Sequence, residues 1–151
     1  MIDRFERFSL AIAEISLYWH KITADEMERY GLRGAHSVYL VTMYRHPEGI
    51  TAPRLCEICG RDKADVSRAM ALMEQKGLVV KEGVHQNLYR GAFKLTEAGR
   101  TAAEHVRQRA SLAVEIAGSE LTDEKRAIFY DALETILTKL RDISKEGLPH
   151  A

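Results

Sequence analysis

A chain of 151 residues with 46% apolar composition is long enough for one domain with a genuine core, which excludes disorder as the default state. Its 22 Lys/Arg balance 22 Asp/Glu, and no run approaches the roughly 18–20 consecutive apolar residues that a membrane span needs. The charged opening MIDRFERF does not suit a signal peptide, and two cysteines are too few for a secreted disulfide framework, so a cytoplasmic protein is expected.

Residues 3 to about 30 predict a long amphipathic helix, with Phe5, Phe8, Ile12, Ile15, Trp19 and Ile22 recurring at steps of three and four. Gly31 and Gly34 punctuate it. A second helix is predicted from about Ala35 to Arg45, with Val38, Val41 and Tyr44 at one spacing and Leu40 and Met43 beside them. The run His46-Pro47-Glu48-Gly49 stops it, because proline disfavours helical geometry in the residue before it.

Thr51 is the expected N-cap of a short third helix, with Pro53 in its first turn, Gly60 at its end, and Leu55, Ile58 and Cys59 as its buried face. Asp62 then caps a fourth helix, and Asp65 places a second acid near the positive end of the helix dipole. Val66, Ala69, Met70 and Met73 fall on one face of that helix at i, i+3, i+4 and i+7. Gly77 supplies its left-handed stop.

Leu78–Lys81 and Tyr89–Leu95 read as the strands of a hairpin around a polar loop. Thr96 opens a helix to about Ala117, Gly118-Ser119-Glu120 breaks it, and Thr122-Asp123-Glu124 opens the last one. That helix carries Ile128, Phe129, Ala132, Ile136, Leu140 and Ile143 on one stripe. There is no internal repeat and no sign of a second domain.

Zero net charge argues against a nucleic-acid partner until its distribution is read. Residues 1–44 carry 5 basic and 6 acidic side chains, residues 45–110 carry 12 and 8, and residues 111–151 carry 5 and 8. The positive charge lies in the middle, around the two short helices and the hairpin. A unit that faces phosphates needs excess positive charge only on its own surface, where neutralising phosphates releases counterions. The order of elements from Thr51 to Arg100 suits such a unit: one helix can enter a groove while a β-ribbon reaches the neighbouring backbone.

The run RLCEICGRDKADVSRAMALMEQKGLV, followed by FKLTEAGR, resembles the MarR family of winged helix-turn-helix transcription regulators. The resemblance joins several offsets: a small-residue helix, a Gly, a Val-Ser-Arg recognition helix, a Gly-Leu-Val turn into the wing and a Leu-Thr-x-x-Gly exit. It implies a mainly α fold with a small β-hairpin, in a single winged-helix domain over residues 1–151. Residues 50–100 would form the winged helix-turn-helix DNA-binding lobe, and residues 1–45 and 118–147 the N- and C-terminal dimerisation helices. It further implies no enzyme activity and no cofactor, with double-stranded DNA and a second copy of the chain as partners and a small effector as a third.

The expected DNA-binding side chains are Thr51 and Arg54 at the head of the third helix and Asp62, Lys63, Ala64, Asp65, Ser67 and Arg68 at the head of the fourth. Arg68 and Lys63 lead this set, since an Arg can bond bidentately to guanine or to a phosphate, while Ser67 suits a phosphate contact. In the wing, His85, Gln86, Asn87 and Arg90 are placed to reach the minor groove or its phosphates. The family's usual Asp-x-Arg-Asp-Arg wing is replaced here by VHQNLYRGAF, in which Arg90 is the one charge.

Cys56 and Cys59 offer a redox switch, or two thiolates for a metal. Residues three apart on a helix have Cβ atoms roughly 5–6 Å apart, whereas a relaxed disulfide needs about 3.5–4.5 Å. A closed zinc site takes four ligands, and no second Cys pair is present. Core thiols are therefore the preferred reading. A thiol oxidoreductase built on Cys56-x-x-Cys59 would need a strand before Cys56, and none is predicted. His20, His36 and His105 lack ligand spacing. Trp19, His36, Tyr39 and Met43, with Tyr18 and Tyr44 nearby, form a possible aromatic-effector pocket, weighed against simple core packing. A winged helix used only for protein contacts is the remaining competitor.

Overall fold

The computed structural model describes residues 3–83 and 91–150. Its elements are α1 (Arg4–Glu28), a 3-10 turn (Gly34–His36), α2 (Ser37–Tyr44), β1 (Ile50–Thr51), α3 (Ala52–Cys59), α4 (Lys63–Gln75), β2 (Val79–Glu82), β3 (Ala92–Leu95), α5 (Glu97–Ala117) and α6 (Asp123–Glu146). The chain divides between Ser111 and Leu112 into two compact units. No helix among the described residues is long and apolar enough to cross a membrane.

The first unit holds the core. Met27 enters it from α1, Leu40 and Met43 from α2, Leu55 from α3, Met70 and Met73 from α4, and Val106 from α5. The inner row predicted for α4 is the one buried, since Val66, Ala69, Met70 and Met73 are all nearly inaccessible. In α2 the buried residues are Tyr39, Leu40, Thr42 and Met43, while Val38, Val41 and Tyr44 are half-buried. A helix of eight residues this apolar is enclosed on more than one side.

One expected core position is corrected. Leu55 is buried as predicted, but Ile58 is 41% exposed. At 100° per residue, Ala52, Leu55, Cys56 and Cys59 share an arc of about 100°, and Ile58 lies beyond its edge. Cys56, one position after Leu55, takes the place that Ile58 was expected to fill.

The sheet is antiparallel in the order β1-β3-β2. Its first strand was not foreseen, because two residues are too short to show a period. Ile50 pairs with Phe93 and Thr51 with Ala92, while Val79 pairs with Leu95 and Lys81 with Phe93. Phe93 and Leu95 face the core in alternation with half-buried Ala92 and Lys94. On the outward face the Lys94 ammonium lies 3.0 Å from the Glu82 carboxylate.

The sheet meets α5 through one compact junction. The Thr96 hydroxyl donates to the Gly77 carbonyl at 2.7 Å and accepts from the Gly99 N–H at 3.0 Å, while the Thr96 N–H donates to the Leu78 carbonyl at 3.0 Å. Gly99 is buried directly over that carbonyl. A charged clasp joins α1 to α5: buried Glu26 accepts from Arg109 Nε at 2.9 Å, and its other oxygen lies 3.7 Å from His105 and 3.8 Å from Arg29. His105 is held in turn by the Tyr30 hydroxyl, 2.9 Å from its Nδ1.

The apolar stripe of α1 stays outside this core: Phe5, Phe8, Ile12, Ile15, Trp19 and Ile22 are all exposed, and only Thr23, Glu26 and Met27 of α1 are buried. In the second unit, Thr122 caps α6 by accepting from the Lys125 N–H at 3.2 Å, and Arg126 closes the turn by donating to the Gly118 carbonyl at 2.9 Å. No described residue of α6 is buried, so its stripe from Ile128 to Ile143 is uncovered as well.

Candidate nucleic-acid interface

Two capped helices and a glycine turn build the candidate surface. Thr51 accepts from the Arg54 N–H at 3.4 Å to start α3, and Pro53 sits in the first turn, where no helical N–H is missed. Gly60 ends α3 at φ 62° and ψ 37°, a left-handed conformation that an L side chain resists. The chain turns there, and Arg61 N–H reaches back to the Cys56 carbonyl at 3.2 Å. Asp62 then accepts from the Asp65 N–H at 2.7 Å and starts α4.

Burying Val66, Ala69, Met70 and Met73 leaves Lys63, Ala64, Ser67, Arg68 and Ala71 on the outside of α4. Arg68 extends into solvent, with its side chain 74% exposed and 4.0 Å from Asp65. At that distance and exposure the pair contributes no more than ~1 kcal/mol, so it orients the guanidinium more than it binds it. Arg54 pairs across one turn with Glu57 at 3.0 Å.

A groove of about 830 Å³ opens between α3, α4 and the sheet. Its floor includes Val66, Met70 and Phe93, and its polar wall includes Asp62, Lys63 and Ser67 from the expected set, with Glu74 beside them. Arg61 and Lys81 also line it, although sequence reasoning did not single them out. Lys81 stands over the Phe93 ring, 5.2 Å from its centroid, because strand register puts the two opposite each other. Only the pairing reveals that placement; Arg61, in the turn between two capped helices, was legible.

The remaining expected residues divide. Asp65 is divided: one carboxylate oxygen accepts a hydrogen bond from the Tyr39 hydroxyl, while the other faces Arg68 on the exposed side. His85, Gln86, Asn87 and Arg90 lie outside the described residues. Of the effector set, Tyr39 and Met43 are in the core, Trp19 is on the exposed stripe of α1, and His36 accepts from the Arg33 N–H at 3.0 Å in the 3-10 turn. None of the four lines the groove. Burial holds His36 below its ordinary pKa, with Arg33 acting in the same direction and Asp65 against it.

The two thiols go to different neighbours. Cys56 lines the groove, while Cys59 donates to the Thr42 hydroxyl at 3.5 Å. Both are half-buried free thiols packed against the core, and burial pushes the Cys59 pKa up. Since the thiolate is the nucleophile, burial of Cys59 is expected to make it react more slowly than Cys56 at neutral pH. Labelling of the single-thiol variants Cys56→Ser and Cys59→Ser checks this, and equal rates would contradict it. Among the described residues, no three His, Cys, Asp or Glu side chains gather as a metal site.

Residues 30–85, which contain this whole helix pair, match the model of the MarR family. Over that stretch the chain is similar to the MarR family. Solved MarR structures share the fold over nearly the full length. A MarR transcriptional regulator from Methanosarcina mazei Go1 is 24% identical with a TM-score of 0.81, over 91% of this chain and 99% of that one. A MarR-family regulator from Listeria monocytogenes, solved in complex with 26mer DNA, is 22% identical with a TM-score of 0.79, over 100% and 99%. MepR, a regulator of the multidrug efflux pump MepA in Staphylococcus aureus, is 20% identical with a TM-score of 0.69, over 88% and 98%. No curated protein matches the chain at a significant level.

Proposed function

We propose that this chain is a MarR-type regulator: a cytoplasmic, homodimeric, sequence-specific DNA-binding repressor whose affinity for an inverted-repeat operator is set by a small effector. The observation that carries the reading is the two-sided α4: a buried inner row fixes the helix, and Lys63, Ser67 and Arg68 stand on its outer side, Lys63 and Ser67 lining a groove that Arg61 and Lys81 share with Asp62 and Glu74. The Listeria relative solved with DNA supports the same use of the fold.

Dimerisation is supported by the uncovered stripes of α1 and α6, whose large apolar side chains need a partner surface. A two-fold pair would present its recognition helices roughly 34 Å apart, or a near multiple, matching an inverted repeat on one face of the duplex. An effector that favours a dimer with another spacing would release the DNA.

The direct test is a gel shift of a duplex from the region upstream of the chain's own gene, at two salt concentrations. Binding should weaken steeply with salt, with a log–log slope of about −0.9 per phosphate neutralised. A chain that shifts no duplex at low salt would instead be a winged helix used for protein contacts.

A further inference from the structure

The helix that follows the 3-10 turn is tied by polar bonds to both helices of the candidate interface. On α2, Thr42 accepts from Cys59 of α3, and one turn earlier Tyr39 donates to Asp65 of α4. Tyr39 is 1% exposed, yet its hydroxyl reaches a carboxylate at the third position of the recognition helix. The phenol stays protonated throughout the neutral range, since burial first and the bond to Asp65 second raise its pKa far above the ordinary value. It is therefore a permanent donor to a charged acceptor, a bond of the stronger class.

Asp65 has two oxygens and uses them differently. Oδ2 is taken by Tyr39, while Oδ1 faces the Arg68 guanidinium at 4.0 Å. The same residue is fixed from behind, because its backbone N–H donates to the Asp62 cap. The Tyr39 bond restrains the Asp65 carboxylate from the core side and the Asp62 cap fixes its backbone, so the position of the acid that faces Arg68 is set from inside the core.

We infer that Tyr39 is a positioning residue for DNA recognition, acting through Asp65 to orient Arg68 and thereby controlling discrimination between sequences more than overall affinity for DNA. This rests on the DNA-binding reading above. A phosphate contact tolerates a displaced guanidinium, because the charge still neutralises the backbone. A bidentate contact to a base edge does not. Loss of the Tyr39 hydroxyl thus separates two quantities that a general loss of structure would lower together.

The experiment uses the full chain and two duplexes: the one that the wild-type chain enriches best from a randomised pool, and a shuffled duplex of the same composition. Tyr39→Phe, which keeps the ring in the core, should bind the enriched duplex about five- to tenfold more weakly, with unchanged binding to the shuffled one and an unchanged salt slope. In an Arg68→Ala background the same substitution should have no further effect. Equal loss on both duplexes, no loss on either, or losses that multiply with Arg68→Ala would overturn the proposal. If Tyr39→Phe lowers the melting temperature, binding is measured well below that midpoint, where the chain is folded, and the same expectations hold. A wild-type chain that binds no duplex overturns the DNA-binding reading itself, whereas wild-type binding untouched by Tyr39→Phe overturns only this assignment.

Discussion

Replacing Lys63 and Arg68 together by alanine should reduce affinity for the enriched duplex roughly a thousandfold while leaving the fold and the oligomeric state unchanged. The magnitude follows from the symmetry of the proposed dimer, which would lose four cationic side chains: at the lower limit of ~1 kcal/mol per contact the sum is ~4 kcal/mol, at 1.4 kcal/mol per tenfold. The log–log salt slope should become shallower by up to about 3.6 if all four meet phosphates, and by less if Arg68 reads a base. Both side chains lie on the exposed side of α4, where charge pairs contribute little, so the change in folding stability should stay within about 1 kcal/mol. Gel shift at several salt concentrations, with size-exclusion chromatography on the same samples, checks both halves. Retained affinity would remove the outer row of α4 from the interface.

Gly99→Ala should destabilise the protein by at least ~2 kcal/mol, although alanine is the better helix former by up to about 1 kcal/mol. A Cβ at position 99 would lie 2.0 Å from the Leu78 carbonyl oxygen, 3.0 Å from its carbon and 3.1 Å from Leu95 Cδ2. That oxygen cannot retreat cheaply, because it accepts the Thr96 N–H that fixes the junction between β3 and α5. The helix and the strand must separate instead, at a cost of about 3 kcal/mol or more, which exceeds the gain in propensity. With slopes of ~1–3 kcal/mol per molar for small proteins, the urea midpoint should fall by about 1 M at fixed chain concentration. An unchanged or raised midpoint would mean that α5 can shift without disturbing the sheet.

How much of this was legible in the sequence depended on the range over which each signal acts. The caps at Thr51, Asp62 and Thr122, the left-handed Gly60 and Gly77, and the inner row of α4 are all written within a few residues, and all were found where expected. Features that need a partner distant in the chain were not legible. The strand β1 exists only because Ile50 and Thr51 find Phe93 and Ala92, and Lys81 joins the groove only through that register. Ile58 was misplaced because the choice between i+1 and i+3 as the flank of Leu55 is made by the packing of neighbouring helices. Asp65 was expected on the DNA side for its position, and nothing local announced that a tyrosine 26 residues earlier would engage it.

The split of α4 into an inner and an outer row bears on how such a chain can change over time. Inner residues answer to the fold and outer ones to whatever the helix touches, so outer positions such as Ala64 and Ser67 can be rewritten with little penalty in folding. That separation would make the proposed regulator easy to retarget. Asp65 is the place where it fails, since one carboxylate serves the core through Tyr39 and the surface through Arg68. A substitution there cannot be judged by either constraint alone, and new preferences for DNA should accumulate around that position before they pass through it.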